Sequence, residues 1–231
     1  MTPPEFAPFA ENLARVQERM AGAAARVGRA ASDITLVAVT KKQSVETIAQ
    51  ALAAGVTNLG ENYVQEAGDK QAVLGRNAAQ WHLIGHLQGN KARAAAGMFD
   101  LIQGVDSVSL ACALGRRARA LGKTQAVLLQ VHLGTEATKS GFAPEEALDA
   151  AAEAAQVPGI AVQGLMGIAP AGEDARPFFR QLRRLFDGLP PAHRQTLSMG
   201  MTGDFEDALA EGATMIRVGT ALFGPRPTGR R

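Results

Sequence analysis

Eight short apolar runs, each separated from the next by a stretch of helical character, constrain this chain more than any other feature. They are "ITLVAV" (34–39), "TNLG" (57–60), "WHLIG" (81–85), "FDLIQGV" (99–105), "QAVLLQVHL" (125–133), "IAVQGLMGI" (160–168), "TLSMG" (196–200) and "TMIRVG" (214–219). Most are continuous rather than alternating. That is the pattern of strands buried on both faces, as in a parallel sheet covered by helices. Between them lie "SVETIAQALAAG" (44–55), "PEEALDAAAEAA" (144–155), "ARPFFRQLRRLF" (175–186) and "DFEDALAEGA" (204–213), with Gly55 and Gly212 where helix C-caps are expected. Eight such units in 231 residues predict an α/β fold, a closed (β/α)8 TIM barrel. An open doubly wound sheet is the alternative.

Ahead of the first strand, Phe6, Phe9, Leu13, Val16 and Met20 are spaced by three and four. The spacing predicts an extra N-terminal helix within residues 1–30, packed on the barrel. No repeat, low-complexity segment or Pro/Gly/Ser linker divides the sequence, so residues 1–231 read as one domain, with 225–231 a frayed, flexible tail.

The net charge is +2 and dispersed, with no basic stripe interleaved with aromatics, which argues against nucleic acid as a partner. Cys112 is the single cysteine, which excludes an intrachain disulfide and fits a reducing compartment. The N-terminus lacks the pattern of a signal peptide, and no run approaches the about 18 apolar residues of a membrane helix. A cytoplasmic protein with no membrane contact is expected.

Barrel active sites stand at the C-terminal ends of the strands. There the first run ends in Lys41 and Lys42, and alternation along a strand lets only one of them point inward. Lys41 shares parity with Val37 and Val39, and branched residues dominate barrel interiors, so Lys41 is the inward candidate. The seventh and eighth runs end in "SMGM" and "RVGT". Loops at those two places often hold a phosphate, and "ALF" after Thr220 opens a short helix. Glycines at strand ends also serve simply as turns. An amine facing a phosphate site suggests an imine with a phosphorylated carbonyl compound, either pyridoxal phosphate or a sugar phosphate in an aldolase.

The motifs "LVAVTK", "AGVTNLGENYVQEAGDK", "WHLIGHLQGNK", "VHLGTEATKSGF", "GLMGIAP", "LSMGMTGDFEDAL" and "GATMIRVGTALFG" occur in this order from about Ile34 to Gly224. On them the chain resembles the YggS/PROSC family, the pyridoxal-phosphate homeostasis proteins, which are similar to the N-terminal barrel of alanine racemases. The resemblance implies pyridoxal 5'-phosphate as cofactor and Lys41 as the Schiff-base lysine. It implies Ser198, Met199, Gly200, Gly219 and Thr220 around the phosphate, Arg217 facing the pyridine nitrogen, and Asn62 and His82 near the ring.

His82 and His86 lack the carboxylate that would complete a metal set, so no metal is expected. Glu61 reads as a cap, an ion-pair partner or a base, and Lys139 as a solvated loop lysine, a phosphate ligand or a cofactor acceptor. Two functions remain open: a racemase or related enzyme, and a carrier that holds the cofactor without dedicated turnover. A racemase needs a second acid/base on the opposite face of the cofactor. In alanine racemases this is a tyrosine of a further domain, whereas Tyr63 is the one tyrosine here and the chain stops at Arg231. An arginine facing the ring nitrogen also disfavours its protonation and weakens the electron sink. A monomeric carrier that serves pyridoxal-phosphate-dependent apoenzymes is the expectation.

Overall fold

The closing pair of the sheet is between its first and last strands. β1 (Thr35–Val39) runs parallel to β8 (Met215–Val218), with Val37 opposite Arg217 and Ala38 opposite Val218. Between them stand β2 (Asn58–Glu61), β3 (Gln80–Leu83), β4 (Leu101–Val105), β5 (Gln125–His132), β6 (Ile160–Ile168) and β7 (Thr196–Ser198), all parallel and paired in sequence order. The result is a closed eight-stranded barrel. This computed structural model describes residues 8–134 and 140–225, so Phe6, Lys139 and the tail from 226 onward lie outside the described residues.

Helices cover the outside: α1 (Phe9–Arg26), α2 (Val45–Ala53), α3 (Val64–Leu74), α4 (Ala92–Met98), α5 (Val108–Ala120), α6 (Ala147–Ala155), α7 (Arg176–Gly188), α8 (Phe205–Ala210) and the one-turn α9 (Thr220–Phe223). Ser44 caps α2, its hydroxyl accepting the Thr47 N–H, and Ser107 caps α5 through the Leu110 N–H. Gly55 and Gly212, at φ of 92° each, end α2 and α8 in the left-handed conformation that glycine tolerates best.

Alternation sorts the strand residues into two layers. Ala38, Leu59, Leu83, Ile102, Leu129, Leu165, Leu197 and Ile216 join the large core between sheet and helices. Val37, Leu101, Leu128, Met166 and Met215 form a separate small apolar cluster inside the barrel. Four buried polar residues run past that plug, Arg217 and Ser198 toward one end of the barrel and Gln103 and His82 toward the other. Barrel chemistry sits at the C-terminal ends of the strands, the end at which Lys41 follows β1.

The N-terminal stripe does what its spacing predicts. Leu13, Val16, Met20, Ala23 and Ala24 are buried, and α1 packs against α8 and α9. The Phe9 and Phe223 rings lie 5.2 Å apart, Arg19 stacks over Phe205 at 4.7 Å, and the Asn12 amide donates to the Leu222 carbonyl at 3.0 Å. Burying each large apolar side chain of the stripe is worth about 1.5–3 kcal/mol. The first helix therefore ties the last unit of the barrel in place. No helix among the described residues is long and apolar enough to cross a membrane.

Candidate functional site

The first strand delivers its lysine through a tight turn. The Gln43 N–H donates to the Thr40 carbonyl at 3.0 Å, and Lys42 at the third position has φ of 62°. Only the third position is left-handed, which defines a turn of type II, where glycine is usual. Lys42 is exposed on the turn, while Lys41 lines a cavity of about 190 Å³ at the β1–β8 side of the barrel mouth. The alternation that carries Val37 inward thus reaches Lys41. Val39, Gln43, Met201, Thr202, Gly203, Arg217, Gly219, Thr220 and Gly224 complete the lining, room for one substituted ring rather than a dinucleotide.

Arg217 is 3 % exposed, and its position is set by hydrogen bonds on one side. Nη1 donates to Ser198 Oγ at 2.6 Å and Nη2 to the Gly167 carbonyl at 3.1 Å. Burial lowers its pKa to about 10, partly offset by Asp204, so the guanidinium stays charged at neutral pH.

The chain of hydrogen bonds continues downward. Ser198 Oγ donates to Gln103 Oε1 at 2.7 Å, Gln103 Nε2 stands 3.1 Å from His82 Nδ1, and His82 Nε2 stands 3.0 Å from Asn58 Oδ1. Because Arg217 can only donate, every later donor must point away from it. That direction makes His82 the neutral tautomer with its proton on Nε2. Burial agrees, holding the His82 pKa to about 4 against the pull of Asp100.

The two C-terminal loops are tied to each other. After Ser198, Gly200 takes φ of 91° and its carbonyl accepts the Arg217 N–H at 3.0 Å. A Cβ on Gly200 would lie 2.6 Å from Ala208 Cβ and 2.9 Å from Phe205 Cα, so this glycine packs on α8. The loop then reaches the cavity with Met201, Thr202 and Gly203, and Thr202 Oγ1 accepts the Ala221 N–H at 3.3 Å. An added Cβ at Gly203 meets no atom within 4 Å, so backbone there faces open space.

Of the residues that the sequence singled out, Lys41, Arg217, Gly219 and Thr220 come together around the cavity. Ser198 lies beneath it, its one proton already donated to Gln103, and Met199 is buried in the outer core. His82 faces the opposite end of the barrel, lining a hollow with Asn58 and Asp100. Asn62 lines a neighbouring hollow with Tyr63, Gly85 and His86. Thr202 and Gly203 stand in "SMGMTGD", directly after the "SMGM" that attracted notice. Gln103 carried none, being one glutamine in an apolar run. Glu61 is an ion-pair partner of Lys70 at 2.6 Å. No group of three or more potential metal ligands occurs among the described residues.

The alanine racemase N-terminal domain family matches residues 9–227. The pyridoxal phosphate homeostasis protein of Escherichia coli (strain K12) is 41 % identical over 231 residues, covering 96 % of this chain and 99 % of that protein. The structure of PipY from Synechococcus elongatus with PLP bound superposes at a TM-score of 0.79, with 39 % identity, over 94 % of this chain and 100 % of that one. An alanine racemase of Clostridium difficile, 17 % identical, gives a TM-score of 0.71 over 94 % of this chain and 58 % of that one, a likeness of fold alone. The barrel and its lysine-bearing mouth thus define a domain of the alanine racemase N-terminal class. Within that class the chain belongs to the pyridoxal phosphate homeostasis protein family.

Proposed function

We propose that this chain binds pyridoxal 5'-phosphate through Lys41 and serves as a carrier in the homeostasis of that cofactor rather than as a dedicated enzyme. The observation that carries the reading is the convergence of Lys41 and Arg217 on one cavity whose far side is made of small and hydroxylated residues. The residues fit the group. An amine, a fixed guanidinium and backbone open at Gly203 match an aldehyde, a ring nitrogen and a phosphate. Thr202, Gly203, Gly219 and Thr220 would hold the phosphate, Arg217 would face the ring nitrogen, and Lys41 would hold the aldehyde carbon. Ser198 would act on Arg217, orienting it from below. Asn62 and His82 would act from beyond the cavity wall.

Pyridoxal phosphate supplies, when bound, an aldehyde that an amine captures and a ring that withdraws electrons. What this chain adds is restraint. Arg217, charged and held by Ser198 and Gly167, would disfavour a proton on the ring nitrogen and so limit the withdrawal. Among the described lining residues Lys41 and Arg217 are the ionisable ones, and racemisation needs a second acid/base opposite the lysine. The relatives are named as homeostasis proteins. In this reading the cofactor passes to pyridoxal-phosphate-dependent apoenzymes of the cytoplasm, and one copy of the chain suffices.

Borohydride reduction of the loaded protein followed by peptide mapping should place the label on Lys41. Label on Lys42 alone refutes the site. A panel of L- and D-amino acids should show no racemisation or transamination near the roughly 1–10 per second of ordinary enzymes, and turnover in that range refutes the carrier role.

A further inference from the structure

Behind the Lys41 turn lies a buried ionic cluster that the proposed function does not use. Lys70, on α3, is 5 % exposed, and its ammonium makes three contacts, one for each of its protons. They are Glu61 Oε1 at 2.6 Å, the Thr40 carbonyl at 2.7 Å and Glu66 Oε1 at 2.8 Å. Thr40 Oγ1 donates to the same Glu61 oxygen at 2.6 Å, and Glu66 Oε1 accepts the backbone N–H of Lys42. The residues on either side of Lys41 are therefore gripped: Thr40 by its carbonyl and its hydroxyl, Lys42 by its amide.

Such a cluster is costly, which argues that it has a task. Glu61 is fully buried, and its second oxygen, Oε2, has no hydrogen-bond partner. Desolvation raises the Glu61 pKa, against the opposing pull of Lys70 and Thr40. Replacing a buried ion pair by apolar residues is often neutral or stabilising, so stability alone is a weak reason for it. The turn it grips is meanwhile the one place among the described residues where a non-glycine residue adopts a positive φ. Strain of this kind persists where the surroundings over-determine it.

We infer that Glu61, Lys70 and Glu66 are positioning residues that clamp the Thr40–Gln43 turn so that Lys41 meets its ligand in one orientation. The inference rests on the reading that Lys41 takes pyridoxal phosphate. Lys70 draws together the end of β1, the end of β2 and the first turn of α3, and Glu66 passes that hold to the Lys42 amide. With the clamp open, Lys42 relaxes toward the right-handed region and the Lys41 side chain swings away from the cavity.

The test compares Glu66→Ala, Glu66→Gln and Lys70→Met with the unaltered chain. Glu66 is the cleaner handle because its side chain is 26 % exposed and its loss leaves the Lys70–Glu61 pair in place. In protein without cofactor, amide hydrogen exchange at Lys42 and Gln43 should accelerate roughly tenfold or more in Glu66→Ala, the size of one charge-assisted hydrogen bond. Exchange elsewhere should not change. With pyridoxal phosphate added, the rate of borohydride labelling at Lys41 should fall by a similar factor, and Glu66→Gln, which keeps an acceptor, should restore both. Lys70→Met should show the larger effect if it folds. Unchanged exchange in Glu66→Ala overturns the clamp, and so does fast exchange with unchanged labelling. An unaltered chain that takes no label at Lys41 refutes the binding reading instead, and the exchange measurement then still decides on the clamp.

Discussion

Neutral His82 makes the stability of this barrel depend on pH in a way that the structure allows to be worked out. The ring is 4 % exposed, wedged between Asn58 and Gln103, and its pKa falls from 6.5 to about 4 because burial disfavours the imidazolium. A folded-state pKa below the unfolded one means that the contribution is fully present above about pH 6.5 and is lost as pH falls toward 4. At 1.36 kcal/mol per pH unit that span corresponds to about 3 kcal/mol, of which about 2 kcal/mol is gone by pH 5. Urea unfolding at pH 7 and pH 5 reads this directly, since 2 kcal/mol moves the midpoint by roughly 1 M. His82→Gln removes the titration, and groups elsewhere affect both proteins alike. The pH-dependent loss should therefore be smaller in the variant by about 2 kcal/mol. Equal losses in the two proteins would refute the assignment of a neutral, directionally bonded His82.

Gly219→Val should weaken pyridoxal phosphate binding roughly tenfold or more by equilibrium titration, because an added Cβ already lies 3.3 Å from Val39 Cβ in the cavity wall. Gly200→Val should instead act on the fold, costing roughly 2 kcal/mol or more in urea unfolding, since the residue has φ of 91° and no room toward Ala208. Leu13→Ala should cost about 2–4 kcal/mol in the same assay, with labelling of Lys41 intact in the protein that remains folded.

The fold was legible because strands buried on both faces leave continuous apolar runs, and because the residues that interrupt them obey turn and cap chemistry. β6 has the bounds its run suggests. β7 is shorter than "TLSMG" because Gly200 turns the chain onto α8. The lysine was legible from parity, since Val37, Val39 and Lys41 must share a face. What failed to show was depth. Ser198 ends β7 and Thr202 stands in the loop after it, and only the geometry of the turn between them puts one hydroxyl beneath the cavity and the other on its wall. The chain from Arg217 to Asn58 draws one residue from each of five strands, and sequence spacing has no handle on such a set. The clamp on the Lys41 turn is hidden for the same reason, since Lys70 reads as an ordinary helical lysine.

The barrel closes between β1 and β8, so the amine and the guanidinium of the cavity come from its first and last strands. No partly folded species in which these two strands are apart contains the site, however well its other strands have formed. During synthesis, the site comes into being only after both β1 and β8 have left the ribosome, and the pairing that creates it is among the most non-local in the barrel. Because α1 packs on α8 and α9, that same late event also docks the first helix. Ligand capture at this cavity is thus a report that the ring has been completed, and a ligand that stays bound opposes its reopening by mass action.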